Sequence, residues 1–411
     1  MKARETMIDE QIVLPRLVAL RGGLGNVPGV RLAGVHAGIK KRKRDLALIV
    51  FDAPQVCASV ITTNEIKAAP LLVTRDSLKS HGSQMRALVC NSGCANACTG
   101  PKGERDARAT ARQAAALLGV PKQSVVVAST GVIGVPLPVD RISKSLERAV
   151  EDLEAGGEAA YDAAEAIMTT DRVPKLSAYA FYDGAKRYVV GGIAKGSGMI
   201  SPNMATMLAF IATDAPMAQA ELQERVARCA DGSFNMISVD GDMSTNDAVY
   251  AFAPASDGKA PEHFEAALRK VCEELAQAMV ADGEGATKTL SVHVTGAENE
   301  AQARAIARAV INSNLVKTAL FGEDPNWGRI VSAAGAARAG MDAEKWSLYV
   351  NDLLWVDVGA VEVLSEAEAH RELEHTKVHV RLDLGVGNAS ATGWGCDLSR
   401  DYVRINANYR T

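Results

Sequence analysis

The 411-residue sequence predicts an α/β fold in which a sheet-based core is covered by helices. A hydrophobic fraction of 47% and a charged fraction of 23% are typical of a globular chain with room for two or three domains of roughly 150 residues. Strand-like and helix-like segments alternate in the first half, and a β-rich stretch follows in the last quarter. We therefore expect a smaller α+β C-terminal domain after a boundary near residue 290.

Four short apolar segments of the first half are typical of buried strands, because they are rich in β-branched residues. They are residues 46–51, 56–61, 85–89 and 125–128. Two helices are predicted to cover the resulting sheet. One spans residues 104–118 and ends before Gly119, and the other spans 140–153 with an apolar stripe at helical spacing.

A hairpin is predicted over residues 176–190, where two alternating segments flank Asp183-Gly184. Four glycines between positions 191 and 198 then predict a flexible loop. Residues 207–212 directly afterwards predict a buried strand. Position 206 is therefore expected at the start of a strand.

The second half continues the alternation of helices and strands. Helices are predicted near 219–230, 264–279 and 300–310, and strands near 236–239, 248–252 and 290–294. A final β-rich stretch includes residues 345–358 and 377–383. No internal repeat or low-complexity segment interrupts the pattern.

Charge and hydropathy exclude two broad classes of function. Net charge is −4, which is too balanced for nucleic-acid binding through bulk electrostatics. The basic run KKRKR at 40–44 is predicted to be a solvated loop before the strand that starts at Asp45. No apolar run approaches the roughly 18 residues that span a bilayer, and the first residues do not resemble a secretory signal. We expect no membrane partner and a cytoplasmic location.

Cysteine and histidine patterns do not predict a metal site. Seven cysteines without a signal peptide indicate a reducing compartment. Cys90, Cys94 and Cys98 are four residues apart, but the Asn and Gly residues between them disfavour a helix. The group His370, His375 and His379 lies across a predicted helix-to-strand change. We expect no metal and no bound cofactor.

Thr206 is the candidate nucleophile. The chain lacks a G-x-S-x-G elbow, so a Thr exposed by cleavage of the preceding peptide bond is an alternative. The freed α-amine has an ordinary pKa of about 7.7–8.0 and can act as general base for its own hydroxyl. Small Ala205 precedes Thr206, and glycines and a proline lie upstream. Thr is also a good strand former, so these residues alone leave both interpretations open.

The segment KGSGMISPNMATMLAFIATDA at 195–215 closely resembles the self-cleavage segment of the ornithine acetyltransferase (glutamate N-acetyltransferase) family of arginine biosynthesis. Similar motifs follow in order along the chain: AGVHAGIK at 33–40, 91–100, STGVIG at 129–134, 168–175, SFNMISVDGDMSTND at 233–247, DGEGATK at 282–288, GEDPNWGR at 322–329 and the terminal YVRINANYRT. The resemblance covers about residues 29–411. The sequence departs from the pattern of the family at Cys94, where Asn is more usual, and in its first two dozen residues.

The resemblance implies a precursor that cuts itself between Ala205 and Thr206. Residues 26–205 would form an α chain after an extension of unknown role at 1–25. Residues 206–289 would begin the β chain with the nucleophile, and 290–411 would form its C-terminal domain. The implied structure has layered sheets around a site at the chain junction, in an assembly of two α and two β chains.

The implied reaction transfers acetyl from N2-acetyl-L-ornithine to L-glutamate through acetyl-Thr206. Thr130 and Gly131 match the oxyanion-hole pair of the family, although STG alone is also typical of a turn. The substrate-contact positions of the family correspond to Thr169, Lys195, Thr206, Glu284, Asn406 and Thr411. From their chemistry we expect Lys195 to bind a carboxylate and Glu284 an ammonium group, with Asn406 and Thr411 fixing orientation. Thr170 is the alternative to Thr169.

Two alternatives stay open beside the transferase. A hydrolytic aminopeptidase or amidase of the same fold would release its acyl group to water, and an uncleaved relative would only bind ligand. Some members of the family also take acetyl from acetyl-CoA, and no residue decides whether this chain uses it as a co-substrate.

Overall fold

The strands of the protein form two sheets. A computed structural model describes residues 17–201, 207–359 and 361–408. The strands in these ranges are β1 (Val18–Leu20), β2 (Val30–Val35), β3 (Leu46–Ile61), β4 (Met85–Cys94), β5 (Val125–Val132), β6 (Lys175–Asp183), β7 (Lys186–Lys195), β8 (Leu208–Thr213), β9 (Ile237–Ser238), β10 (Ala248–Pro254), β11 (Thr289–Ala297), β12 (Ser347–Val350), β13 (Leu353–Asp357), β14 (Val361–Glu362), β15 (Lys377–Asp383) and β16 (Ala389–Cys396).

Helices cover both sheets. Those of the described ranges are α1 (Ala69–His81), α2 (Gly100–Leu118), α3 (Val139–Glu151), α4 (Gly157–Ile167), α5 (Gln219–Gly232), α6 (Phe264–Ala281), α7 (Glu300–Ile311), α8 (Asn314–Gly322), α9 (Trp327–Ala336), α10 (Glu366–Leu373) and α11 (Arg400–Ala407). None of them combines the length and the hydropathy that a membrane span needs.

The first sheet has the strand order β1-β6-β7-β8-β10-β3-β4-β5, and β2 also pairs with β3. β8 and β10 run parallel, as do β4 and β5, whereas β7 and β8 are antiparallel. Both faces of the central strands are buried. In β8, Ile211 packs in the core that includes α5 and α6, while Phe210 packs in the core that includes α4. Because both faces of β8 are buried, its sequence is a continuous apolar run.

The second sheet has the order β14-β13-β12-β15-β11-β16-β9. Its core is formed with α7, since Ile306 and Val310 of α7 belong to the same buried cluster as Val292 and Leu348. β9 joins this sheet although it precedes α6 in the chain. The predicted α/β fold with layered sheets is therefore confirmed.

Several sequence-based boundaries need correction. The predicted strands 46–51 and 56–61 are one strand, β3, whose register shifts between Val50 and Gln55. Gly191 and Gly192 lie within β7, not in a loop. A Cβ on Gly191 would lie 2.3 Å from the carbonyl oxygen of Gly23, so close packing explains this glycine.

Other predicted elements differ in extent. The predicted strand 236–239 is reduced to β9 because the preceding residues form a 3-10 turn, Phe234–Met236. The hairpin is confirmed, with Asp183 opposite Lys186 and Gly184 at a φ of +57°.

The basic run is only partly solvated, in contrast to the prediction. Arg44 makes ion pairs of 2.9 Å with Asp162 and 2.7 Å with Glu165. Lys40 is half-buried, and its Nζ donates to the carbonyl oxygen of Met168 at 3.0 Å. These two side chains therefore tie the run to the end of α4 and the segment after it.

Candidate functional site

A cavity of about 230 Å³ lies where segments from both halves of the chain meet. Five of the residues predicted for the site line it: Thr130, Gly131, Thr169, Glu284 and Asn406. These positions are separated by up to 276 residues in sequence, as the numbers 130 and 406 show. The fold therefore brings them together through tertiary contacts alone.

The oxyanion-hole candidates lie at the end of β5. Gly131 has a φ of +130°, and a Cβ there would come within 2.3 Å of the backbone of Gly93. Only glycine fits this position. The adjoining Ser129 is fixed by Asn246, whose side-chain amide donates to its carbonyl oxygen at 2.7 Å. The arrangement holds the backbone at Thr130 and Gly131 in one conformation.

Lys195 ends β7 beneath the cavity and is almost completely buried. Its Nζ lies 2.8 Å from the hydroxyl of Thr169 and 3.4 Å from that of Thr130. Burial lowers the pKa of Lys195, and the carboxylate of Asp171, 3.9 Å from Nζ, opposes this shift. The structure thus places the Lys195 ammonium group, shielded from solvent, beside the hydroxyls of Thr169 and Thr130, and its contact with a substrate carboxylate stays a prediction.

A buried charge network supports Lys195, and sequence reasoning missed it. Asp171 accepts hydrogen bonds from the amide of Gly196 at 2.7 Å and from Lys175 Nζ at 2.7 Å. Lys175 also donates to Asp282 at 2.8 Å. Burial alone would raise the pKa of Asp171, but Lys195 and Lys175 hold it well below its usual range. The motif at 168–175 contained the signal, since it places a charged pair four residues apart beside Thr169.

Glu284 and Asn406 contact each other in the cavity wall. Asn406 Nδ2 donates to Glu284 Oε2 at 2.7 Å, and the Glu284 backbone amide donates to Ser197 at 2.7 Å. A Cβ on Gly198 would clash with the Glu284 carboxylate at 2.4 Å. The glycine therefore allows the carboxylate to approach the segment that leads toward position 206.

The segment before β10 forms another part of the wall. Ser244 and Asn246 line the cavity, and Asp247 lies directly behind it, with Oδ1 accepting the amide of Met207 at 2.9 Å. These three residues were not predicted as site residues from the sequence, although they lie at the end of the motif SFNMISVDGDMSTND.

Three predicted site residues, Ala205, Thr206 and Thr411, lie outside the described residues. Thr169 and Thr170 both line the cavity. Thr169 contacts Lys195, whereas the hydroxyl of Thr170 lies 2.7 Å from that of Ser197. The choice between the two as a substrate contact stays a prediction.

The cysteines and histidines considered in the sequence are not among the residues that line the cavity. Burial raises the pKa of the Cys90 thiol to about 12, so Cys90 is neutral at physiological pH. In the described ranges, a group with metal-ligating atoms within 4.8 Å of one another comprises Glu323, His370 and Glu374, without His375 or His379. Glu323 is already paired with Lys288 at 2.7 Å.

Comparisons with known proteins identify the family. The model of the ArgJ family matches residues 31–411. The arginine biosynthesis bifunctional protein ArgJ of Symbiobacterium thermophilum is 47% identical over 403 residues, covering 95% of this chain and 99% of that relative. The protein of the same name from Bacillus anthracis is 43% identical over 398 residues, covering 95% and 97%.

Solved structures include the ornithine acetyltransferase of Mycobacterium tuberculosis in complex with ornithine. It is 41% identical with a TM-score of 0.42, covering 46% of this chain and 98% of that chain. On the match of the family model and the identity to its curated relatives, the chain belongs to the ArgJ family, which confirms the family predicted from the sequence motifs.

Proposed function

We propose that this chain transfers the acetyl group of N2-acetyl-L-ornithine to L-glutamate, giving L-ornithine and N-acetyl-L-glutamate. The observation that carries the proposal is the convergence of Thr130, Gly131, Thr169, Glu284 and Asn406 on one cavity above Lys195. The curated relatives are named as proteins of arginine biosynthesis, which agrees with these substrates.

The nucleophile arises by self-cleavage. The hydroxyl of Thr206 attacks the carbonyl carbon of Ala205, the peptide C–N bond breaks, and the hydroxyl proton passes to the new amine. Water then hydrolyses the resulting ester, which frees the Ala205 carboxylate and restores the hydroxyl. Thr206 is left with an α-amine that serves as general base for its own hydroxyl.

Acetyl transfer proceeds in two halves. Thr206 attacks the acetyl carbonyl of the donor, its proton passes to the leaving amine, and ornithine departs. The amine of glutamate then attacks the acetyl ester, and the proton it loses returns to the Thr206 oxygen. In both halves a negative charge develops on the acetyl oxygen, and donors at Thr130 and Gly131 stabilise it.

The charges around the cavity suit a zwitterionic donor. Lys195 is assigned to the donor carboxylate and Glu284 to its δ-ammonium group, with Asn406 orienting Glu284 through the 2.7 Å hydrogen bond. Unchanged donor binding in Glu284→Ala would contradict the second assignment. Asp171 opposes the lowering of the Lys195 pKa by burial and so favours the charged form.

The first experiment is the denatured mass of the purified protein with amino-terminal sequencing of each fragment. Two chains, one beginning at Thr206, and glutamate-dependent release of ornithine are expected. Acetate release without glutamate would favour the hydrolytic alternative. A single uncut chain of 43.4 kDa without an acetyl adduct would favour a binding protein and contradict the proposal.

Further properties follow from the same proposal. We infer a cytoplasmic assembly of two α and two β chains that needs no bound cofactor. Its native mass should be about twice the 43.4 kDa of the precursor, which light scattering after gel filtration measures. Replacing N-acetylornithine by acetyl-CoA in the same assay determines whether the site also accepts the thioester.

A further inference from the structure

Asp247 is a buried carboxyl group that the proposed acetyl transfer does not use. It is 0% exposed, and its Oδ1 accepts the backbone amide of Met207 at 2.9 Å. Oδ2 is also buried and has no hydrogen-bond partner among the described residues. A buried polar atom without a partner is unfavourable for folding, so its presence here needs an explanation.

The position of Asp247 is set by the sheet. β8 and β10 run parallel with Leu208 opposite Ala248, which places Met207 and Asp247 side by side just before both strands. Covalent geometry then limits the distance to the cleavage point. Only three bonds, with a summed length of about 4.3 Å, separate the amide nitrogen of Met207 from that of Thr206.

Asp247 is held in its acid form. Burial raises its pKa to about 8, against the lowering effects of the Met207 amide, the charge of Lys195 and the nearby hydroxyls of Ser244 and Thr62, which do not donate a hydrogen bond to Oδ2. Met207 directly precedes β8, Lys195 ends β7, Ser244 lies before β10 and Thr62 directly follows β3. Because Oδ1 accepts a hydrogen bond, the proton of the acid form is carried on Oδ2.

We propose that Asp247 is the proton carrier for self-cleavage between Ala205 and Thr206. Oδ2 gives its proton to the nitrogen of Thr206 as the C–N bond to Ala205 breaks, and the carboxylate takes up the proton that the attacking hydroxyl loses. The new ester C–O bond replaces the peptide bond, and Asp247 returns to its acid form. The inference rests on the self-cleavage in the proposed function.

Asp247→Asn separates proton transfer from anchoring. The amide side chain has nearly the same shape and keeps an oxygen for the Met207 amide, but it cannot release a proton at neutral pH. In cell-free synthesis of the full chain, we expect wild type to be cut and the variant to be cut at least about a hundredfold more slowly. Cleavage of Asp247→Asn at the wild-type rate would overturn the proposal.

Asp214→Asn is the matched control. Asp214 follows β8 at its other end, and its Oδ1 accepts the amide of Val189 at 2.7 Å, so it is also a carboxylate that anchors a strand amide. This variant should be cut at the wild-type rate. Circular dichroism and resistance to limited proteolysis establish that each variant is folded.

The pH profile of wild-type cleavage tests the proposal without any substitution. The rate should fall by about tenfold per pH unit above roughly pH 8, because the proton-donating form is lost. A rate that is flat or rises from pH 7 to 10 would overturn the role of Asp247. If wild type is never cut at Thr206, the proposed function itself fails, which distinguishes the two failures.

Discussion

At the scale of single residues, the site depends on backbone positions that accept only glycine. Gly131 is the strongest case, because its φ of +130° and its contact with Gly93 both exclude a side chain. We expect Gly131→Ala to lower kcat for acetyl transfer by about 10²–10³-fold, the loss typical of one missing oxyanion donor. Steady-state kinetics with N-acetylornithine and glutamate measure it.

Gly134→Ala provides the control for this prediction. Gly134 also has a positive φ, +81°, but a Cβ there has no neighbour within 4 Å. Gly134→Ala should strain the backbone without placing the new methyl group against any part of the site. Its kcat should therefore stay near the wild-type value. Equal losses in the two variants would mean that general strain, not the oxyanion hole, explains the effect.

Burial of Lys40 should make the stability of the protein depend on pH. Burial lowers the pKa of Lys40 to about 8 from an ordinary 10.5, with Lys43 adding to the shift and Asp45 opposing it. Between these two values the unfolded chain binds more protons than the folded chain. The contribution of Lys40 to stability should therefore rise from pH 8 to 10.5, and its full penalty should be present below pH 8.

Urea unfolding of wild type and Lys40→Met across this pH range measures the difference. As pH increases, the free energy of unfolding of wild type should increase relative to that of the variant. Exposed Lys41 serves as the control, and Lys41→Met should follow wild type at every pH. Parallel curves for wild type and Lys40→Met would contradict the lowered pKa.

At the scale of secondary-structure elements, α11 carries Asn406 to the cavity. Its N-cap, Ser399, accepts the amides of Asp401 and Tyr402 and donates to the carbonyl oxygen of Gly285 at 2.6 Å. Ser399→Ala should destabilise the protein by about 1 kcal/mol and loosen the contact between Asn406 and Glu284. We expect KM for N-acetylornithine to rise roughly two- to tenfold, with a smaller change in kcat.

Ser365→Ala is the matched substitution for α11. Ser365 caps α10 through a complete capping box, away from the cavity. Its removal should cost a similar free energy of unfolding and leave KM unchanged. A raised KM in both variants would show that lost stability, not the placement of α11, affects donor binding.

Elements coded by local periodicity were predictable from the sequence. Turn residues specify the hairpin around Gly184. The spacing of apolar residues specifies the buried face of α3 and the continuous apolar strand β8. β16 was missed. Its Gly393 and Gly395 are poor strand formers that fit beneath Ile311 of α7, so tertiary packing specifies this strand.

The site was predictable only through ordered motifs. Those motifs identified five of the residues that line the cavity, but not the interactions that hold them in place. Lys175 pairs with Asp282 across 107 positions of sequence, and Asp247 reaches Met207 across 40. Pairings at such separations leave no trace in hydrophobic periodicity, because periodicity reports only the local element.

At the scale of the whole molecule, the proposed cut divides the first sheet without dividing the fold. β8 and β10 follow position 206 in sequence, yet they lie between β7 and β3, which precede it. Loss of the β chain would leave β7 and β3 as unpaired edges and would open both cores of this sheet. We therefore expect the cut chains to stay together under native conditions and to separate only in denaturant.

Gel filtration with denaturing electrophoresis of each fraction tests the association, and unfolding measured with two probes tests its cooperativity. All four tryptophans lie between 327 and 394, so their fluorescence reports on the β chain, whereas far-ultraviolet circular dichroism reports on both chains. The two transitions should coincide, because the chains share one sheet and its cores. Separate elution of the chains would show that each chain folds independently. A fluorescence transition at clearly lower denaturant than the dichroism transition would show that the second sheet, where the tryptophans lie, unfolds before the first.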